Sequence, residues 1–422
     1  MTVRAYPSGE FTGSTNETAA TEGYINVVAT GDELRIYLRC AGAGTSFFDN
    51  VSVKEVTFDE SDGTLTLFEH PDNIPRVEYD ADGNRLGLLV EESRTNLQTY
   101  SEDFSNSSWT KSGSSVSAAT SITAPDSTTN SFKLIESSST EAHRVQGAQA
   151  AGGTTSTMSC FMKKAERSWG NINFAGLTNG QAWFDLENGV LGTVQSAVTA
   201  KIEEYGNGWY RCSVTATPTS AATTDIKVAN ADNVVSYAGD GASGIYIFGA
   251  QTEAGAFPTS YIKTTGSTAT RSADVASIPV ADFGYNQSAG SIVIESQTFD
   301  ITDVGRNFSL SDGTSSNVIR SQSQATNHLI VINSGSVTAN LDAGAYSNNV
   351  FSKLGGAFAK DDIAASMDGG AVVTDTSSSI PAVTKLNIGG RYDGGLPLNG
   401  HIKSIKYYPR RLTNAQLQEI TS

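Results

Sequence analysis

Four histidines, His70, His143, His328 and His401, are scattered singly through 422 residues, with no His-Glu-x-x-His pair and no Gly-x-Ser-x-Gly elbow. Zinc peptidase and serine hydrolase chemistry of those kinds has no residues to run on. Asp185 and Glu187 supply two carboxylates, but residues two apart on a strand point the same way instead of flanking a bond, so a solvated strand edge is expected, not a glycosidase pair. Asp80, Asp82, Asn84 and Glu91 fall at the first, third, fifth and twelfth positions of a calcium loop, yet Arg85 stands where that loop needs glycine. A hairpin turn at Asp80–Asn84 is the expected reading. Calcium stays open there and at two loop pairs, Asp300 with Asp303 and Asp361 with Asp362; no metal ligand set is assigned and no other cofactor is expected. Gly239-Asp-Gly-Ala-Ser-Gly244 matches a dinucleotide fingerprint, but the strand Ile245–Phe248 follows it. With no helix N-terminus to receive a pyrophosphate, it reads as a loop. The odd count of Cys40, Cys160 and Cys212, with no Cys-x-x-Cys, points to neither a disulfide framework nor zinc.

Aromatic rings are the remaining chemistry, because a flat ring stacks on the apolar face of a pyranose while neighbouring polar groups fix its hydroxyls. Trp109 and Trp209 sit in strand-like segments and read as core. Trp169 follows the charged run Lys163–Arg167, and Tyr346 and Tyr392 lie among Asn, Asp and Gly in loop-like stretches. These three are the candidate ligand contacts, with packing as the competing reading for each.

The elements that must hold such rings are strands. Leu34–Arg39, Val51–Val56, Ile245–Phe248, Ile292–Ser296 and His328–Ile332 alternate with period two and are separated by turn clusters such as Glu60–Gly63 and Asp80–Asn84. Helical signal is convincing once, where Thr413 and Gln416 form a capping box ahead of Leu417 and Ile420. Net charge is -16 with 17% charged residues, a field that repels phosphate backbones and disfavours nucleic-acid binding. No apolar run resembles a signal peptide or a membrane span, so a soluble chain with no membrane insertion is expected. Little is available to bury between Thr264 and Ser277, which marks a boundary.

Two stretches resemble known families. Arg94-Thr-Asn-Leu97 through Tyr100, Phe104 and Trp109, then Ala182–Gly189, Gly206–Ser213, Gly244–Gly255 and Phe257–Ile262, resemble the jelly-roll, carbohydrate-binding-like modules of phage tail and virion appendage proteins. Asp368–Gly370, Leu386–Gly390 and the closing Leu398–Leu412 resemble a laminin-G or concanavalin-like sandwich. The organisation expected is all-β: a partial β module and hairpin at 1–93, serving anchoring or oligomerisation, a jelly roll at 94–277, and a laminin-G-like sandwich with one short C-terminal helix at 278–422. Ser46–Val56 looks like the tail of another jelly-roll module.

The resemblance implies a non-catalytic structural protein of a tailed bacteriophage, a tail fibre, spike or head fibre, folded in the host cytoplasm and residing on the virion. Its partners would be other virion proteins and host-surface glycans, bound multivalently by a homotrimer. A decoration or cement protein with a purely structural role is the alternative. A polysaccharide depolymerase and a cellular lectin are further ones.

Overall fold

The computed structural model describes residues 2–7, 14–16, 34–39, 74–80, 83–234, 236–302, 304–323 and 327–422. The chain divides into two compact units, Met1–Asp59 and Glu60–Ser422. In the first, the strand Thr2–Pro7 lies between Ser14–Asn16 and Leu34–Arg39 in an antiparallel sheet. The alternation of Leu34, Ile36 and Leu38 foretold that last strand. Val51–Val56, Cys40, His70, Asp82 and Asp303 lie outside the described residues.

The second unit holds two β-sandwiches, the all-β architecture anticipated from the alternating runs. One sheet of the first sandwich runs Val190–Val194, Gln181–Asp185, Trp169–Phe174, Ala222–Ala229, Thr140–Ala150, with Ser236–Ala238 and Thr110–Ser112 both paired to the last. The facing sheet runs Val198–Glu204, Trp209–Ala216, Ser156–Lys164, Gly244–Ala254, Phe132–Glu136, Ser114–Ala118. Alternate residues of both close the core: Val145, Ile172, Phe174, Phe184, Ile226 and Val228 from one, Met158, Met162, Val214 and Ile247 from the other. Trp209 is 1% exposed beside Phe161 and Phe248, with Nε1 donating to Thr123 O at 2.8 Å. Trp109 is 2% exposed against Phe104. Both tryptophans are core, as read from sequence.

In the second sandwich, one sheet runs Ala276–Pro279, Lys385–Ile388, Phe308–Ser311, Val318–Ser321, Asn327–Asn333, Ser336–Gly344. The other runs Val373–Asp375, Asp362–Met367, Ser352–Ala359, Ala289–Thr298, Gly400–Tyr408, Arg85–Val90, Val77–Tyr79. The closing strand Gly400–Tyr408 returns beside the early strand Ala289–Thr298, placing Ile402, Ile405 and Tyr407 at the core. After it, Asn414–Thr421 forms the C-terminal helix. Thr413 Oγ1 accepts from Gln416 N and Gln416 Oε1 accepts from Thr413 N, the reciprocal cap expected, and Leu417 is fully buried.

The hairpin Val77–Val90 departs from expectation. The sequence groups it with a partial β module in a segment 1–93 that serves anchoring or oligomerisation. Instead Leu88, Leu89 and Val90 pair with Ile402, His401 and Gly400 of the same chain, and Val90, 1% exposed, joins the second core. The first sandwich is therefore an insertion in the second. Its entering strand Arg94–Asn96 and leaving strand Ala269–Arg271 pair with each other as a stem. Among the described residues no helix is long and apolar enough to cross a membrane.

Candidate functional site

Polar groups collect on the face of the first sandwich that points away from its core. In the strand Trp169–Phe174, Ile172 and Phe174 point inward, so Trp169, Asn171 and Asn173 point outward. Register then brings the outward residues of four strands into rows. Trp169 lies between Asp185 and Ala229; Asn171 lies between Trp183 and Lys227, with Arg144 beyond; Asn173 lies between Gln181 and Asp225, with Gln146 beyond. Such directly opposed residues share a face and lie in reach of one another.

Although this floor faces away from the core, much of it is buried: Asn171 and Asp225 are 0% exposed and Lys227 4%. Asp225 organises one end. It accepts from Asn173 Nδ2 and Gln146 Nε2, each at 3.0 Å, with Arg144 Nη1 at 3.9 Å. Both amide oxygens remain as acceptors. Lys227 Nζ donates to Gln181 Oε1 at 2.9 Å, and burial pulls its pKa down to about 8 against the opposing pull of Asp225. Asn171 Nδ2 donates to Ala182 O at 3.0 Å, while its Oδ1 and Arg144 Nε have no partner. A buried acceptor left open costs about 1–3 kcal/mol, which a ligand hydroxyl would recover.

Trp169 closes the other end, half-buried. A Cβ at Gly192 would stand 2.5 Å from Trp169 Cζ3, so the glycine is what lets the edge strand lie against the indole. Asp232 fixes that strand by accepting from Thr193 N at 2.7 Å and Thr193 Oγ1 at 2.9 Å. Trp183 is covered, 2% exposed, with Nε1 donating to Val234 O at 3.3 Å.

The other two ring candidates separate. Tyr392 is half-buried on the second sandwich, packed on Val318, Ile330 and Ile332 with Arg391 over its ring. Tyr346 is no surface ligand residue: it is 2% exposed, its hydroxyl 3.0 Å from Ser296 Oγ and accepting from Asn307 Nδ2 at 2.7 Å. Burial pushes its phenol up to about 12. Its flanking small and turn-forming residues suggested a loop, but that loop dips into the core and spends the hydroxyl there.

The acidic candidates are used structurally. Asp80 binds Asn84 through its side chain at 2.7 and 3.0 Å, making the turn. Glu91, the supposed twelfth ligand, is buried elsewhere against Arg76 and Arg271. Asp185 accepts from Glu187 N and Asn188 N in a turn, and Glu187 pairs with Lys164. Asp300 accepts from Thr302, and Asp362 pairs with Arg411. Among the described residues no cluster of three or more His, Cys, Asp and Glu could hold a metal ion. Asp240, in the glycine-rich stretch, accepts from Ala242 N and Ser243 N, and a strand follows. His143 is buried between the carbonyls of Gly113 and Tyr237, and His401 bridges Glu78 and Gln297.

A cleft of about 1970 Å³ lies between the sandwiches, lined by the Val77–Val90 hairpin, Tyr205, Phe257 and residues 270–278. Its charges are largely matched within it: Arg76 and Arg271 both reach Glu91 and Asp274, and His401 meets Glu78. The polar floor of the first sandwich, by contrast, keeps a buried acceptor without a partner, Asn171 Oδ1, in the row next to the indole of Trp169.

Sequence reading missed Arg144, Gln146, Asn171, Asn173, Asp225 and Lys227. Their signal was present in Trp-Gly-Asn-Ile-Asn-Phe and Asp-Ile-Lys-Val, where polar residues alternate with core ones. A polar residue at such a position looks the same whether it meets water or a built network.

No family model matches the chain, and no curated protein matches it. Among solved structures, the CBM40 module of the Ruminococcus gnavus IT-sialidase bound to alpha2,3 sialyllactose is 18% identical, covering 34% of this chain and 87% of that one at a TM-score of 0.31. Domains LG4-5 of the mouse laminin alpha1 chain are 12% identical, covering 66% of this chain and 88% of that one at a TM-score of 0.25.

Proposed function

We propose that this chain is a non-catalytic glycan-binding protein and that the outward floor of the first sandwich, from Trp169 to Gln146, is its saccharide site. The observation that carries the reading is that floor: amide, carboxylate and ammonium groups hydrogen-bonded to one another on the face opposite the core, with Asn171 Oδ1 and Arg144 Nε left without a partner. Fixed amide and carboxylate groups suit vicinal hydroxyls, which donate and accept at adjacent positions, and an indole edge suits the apolar face of the ring. Desolvating such a floor costs free energy that a purely structural surface need not spend.

In the finer reading the chain serves a bacteriophage virion appendage, adhering to host-surface glycans. Homotrimeric assembly would supply avidity from individually weak sites. The N-terminal segment would contact other virion proteins, with no cofactor required.

The test is binding of the full chain to a panel of neutral and acidic oligosaccharides, with Asn171→Ala and Asp225→Asn beside it, each checked for native stability. Saturable binding to one saccharide class, weakened about tenfold or more in both variants, is expected. A folded chain that binds no saccharide, or variants that bind as well as the parent, would refute this site, and the former would favour a bracing role on the particle.

A further inference from the structure

The second sandwich carries a basic cluster that the first sandwich's site does not involve. In its Phe308–Ser311 strand, Phe308 and Leu310 enter the core, as do Ile319 and Leu386 of the neighbouring strands. Ser309, directly opposite Arg320 on one side and Asn387 on the other, therefore shares an outward face with both. The loop 389–398 folds over this face. Leu398 N donates to Gly389 O, Arg306 N donates to Leu396 O, and Tyr392 packs on Val318, Ile330 and Ile332, the neighbours of Arg320.

Under this loop, satisfaction is incomplete. Ser309 is 0% exposed and Asn387 2%, yet Ser309 Oγ and Asn387 Oδ1 have no partner. Arg306 is 5% exposed; its Nη1 donates to Gly305 O at 3.2 Å and its Nε donates to nothing, as does Arg320 Nε. Among the described residues, Arg391 alone of the three arginines has a carboxylate, Asp393, in a two-bond fork at 2.7 and 2.6 Å. Burial, then the charges of Arg320 and Arg391, pull Arg306 down to about 10; burial and Arg391 lower Arg320 as well. Asp393 compensates Arg391 and holds it above its ordinary value, whereas Arg306 and Arg320 meet no carboxylate among the described residues, in a chain whose net charge is -16.

Partly buried like charges are costly unless something of opposite sign joins them. Planar guanidinium forks match the oxygens of sulfate and carboxylate, and Tyr392 beside them offers a ring face to the sugar that bears the anion. We propose that Arg306, Arg320 and Arg391, with Tyr392, form a second saccharide subsite on the face of the Phe308–Ser311 sheet, specific for an oxyanion, sulfate ester or uronate carboxylate, on an acidic sugar. Ser309 and Asn387 lie at its floor.

Saturation-transfer NMR on the full chain with glucose 6-sulfate, glucuronate and glucose, at constant ionic strength, tests this. Arg320→Gln and Arg391→Gln are the variants, each kept only if its urea midpoint matches the parent. At least one anionic sugar is expected to bind, with glucose about tenfold weaker or silent, and the bound one tells sulfate from carboxylate. Both variants should lose about tenfold, while Asn171→Ala on the first sandwich should leave this binding unchanged. Binding of neither anion, equal binding of glucose, or undiminished binding by a folded arginine variant would overturn the proposal. Loss of the anion in Asn171→Ala alone would move it to the first sandwich's site.

Discussion

Glu91→Gln should strike the seam between the two sandwiches. Glu91, 2% exposed, receives Arg76 Nη1 at 2.9 Å and Arg271 Nη2 at 3.3 Å, together with Ser260 N at 2.9 Å and Ser260 Oγ at 2.8 Å. Glutamine keeps the shape and one acceptor, but sets an N–H donor against guanidinium donors and removes the charge that both arginines face. Removing one partner of a buried pair costs ~3–5 kcal/mol. Asp274, which pairs with Arg76 and lies 3.7 Å from Arg271, softens this, so about 3 kcal/mol at pH 7 is expected. With an unfolding entropy of about 2.1 cal/mol/K per residue over roughly 350 residues, that is a melting shift of about 4 °C. The pH dependence has a sign. Arg271 and Arg76, with bonds from Ser260, hold the Glu91 carboxyl below its ordinary value although burial opposes them. Its stabilisation is therefore present above the unfolded pKa of about 4.3 and lost as pH falls through the lower folded value. Urea unfolding of parent and variant from pH 7 to pH 3 should show the gap closing only in acid. A variant within about 0.5 kcal/mol of the parent at pH 7, or a gap as wide at pH 3 as at pH 7, would mean that the Glu91 charge does not hold this seam.

Trp209→Ala should cost the ~3–5 kcal/mol of a large core truncation, whereas half-buried Trp169→Ala should cost under about 1 kcal/mol while weakening saccharide binding; equal urea midpoints for the two would reverse these assignments. Lys227 is held below its ordinary value by burial, so the fold disfavours its charge and stability should rise as pH climbs from about 8 toward 10. In Lys227→Met that rise should vanish, read by thermal melts across the interval. Cys160 and Cys212 stand opposite each other in the core, their thiols pushed up by burial. Neither should alkylate at pH 8 without denaturant, and peptide-resolved labelling of either one in the native chain would contradict the packing.

Strand positions, the two core tryptophans and the helix cap were legible because their causes are local: alternation, turn residues, a reciprocal cap four residues long. What escaped was non-local. Tyr346 looked like a loop ring because its neighbours are turn formers, and only Ser296 and Asn307, about 40 to 50 residues earlier, reveal where its hydroxyl goes. Val77–Val90 was correctly a hairpin, yet its partner strand lies some 310 residues on, so nothing nearby in sequence could assign it to the second sandwich. The polar floor was hidden differently. Asn171, Asp225 and Lys227 occupy the outward positions that water usually fills, and only register shows them converging.

The stem that joins the sandwiches carries a mechanical consequence. Because Arg94–Asn96 and Ala269–Arg271 enter and leave side by side, the first sandwich hangs from the second as a closed side loop. Tension drawn between residue 76 and the C-terminus passes along Arg85–Val90 and Gly400–Tyr408, which are bonded directly to each other, and bypasses that loop. A saccharide grip on the side loop would keep its shape while the backbone that bears the load is stretched, and would be pulled only through its own ligand.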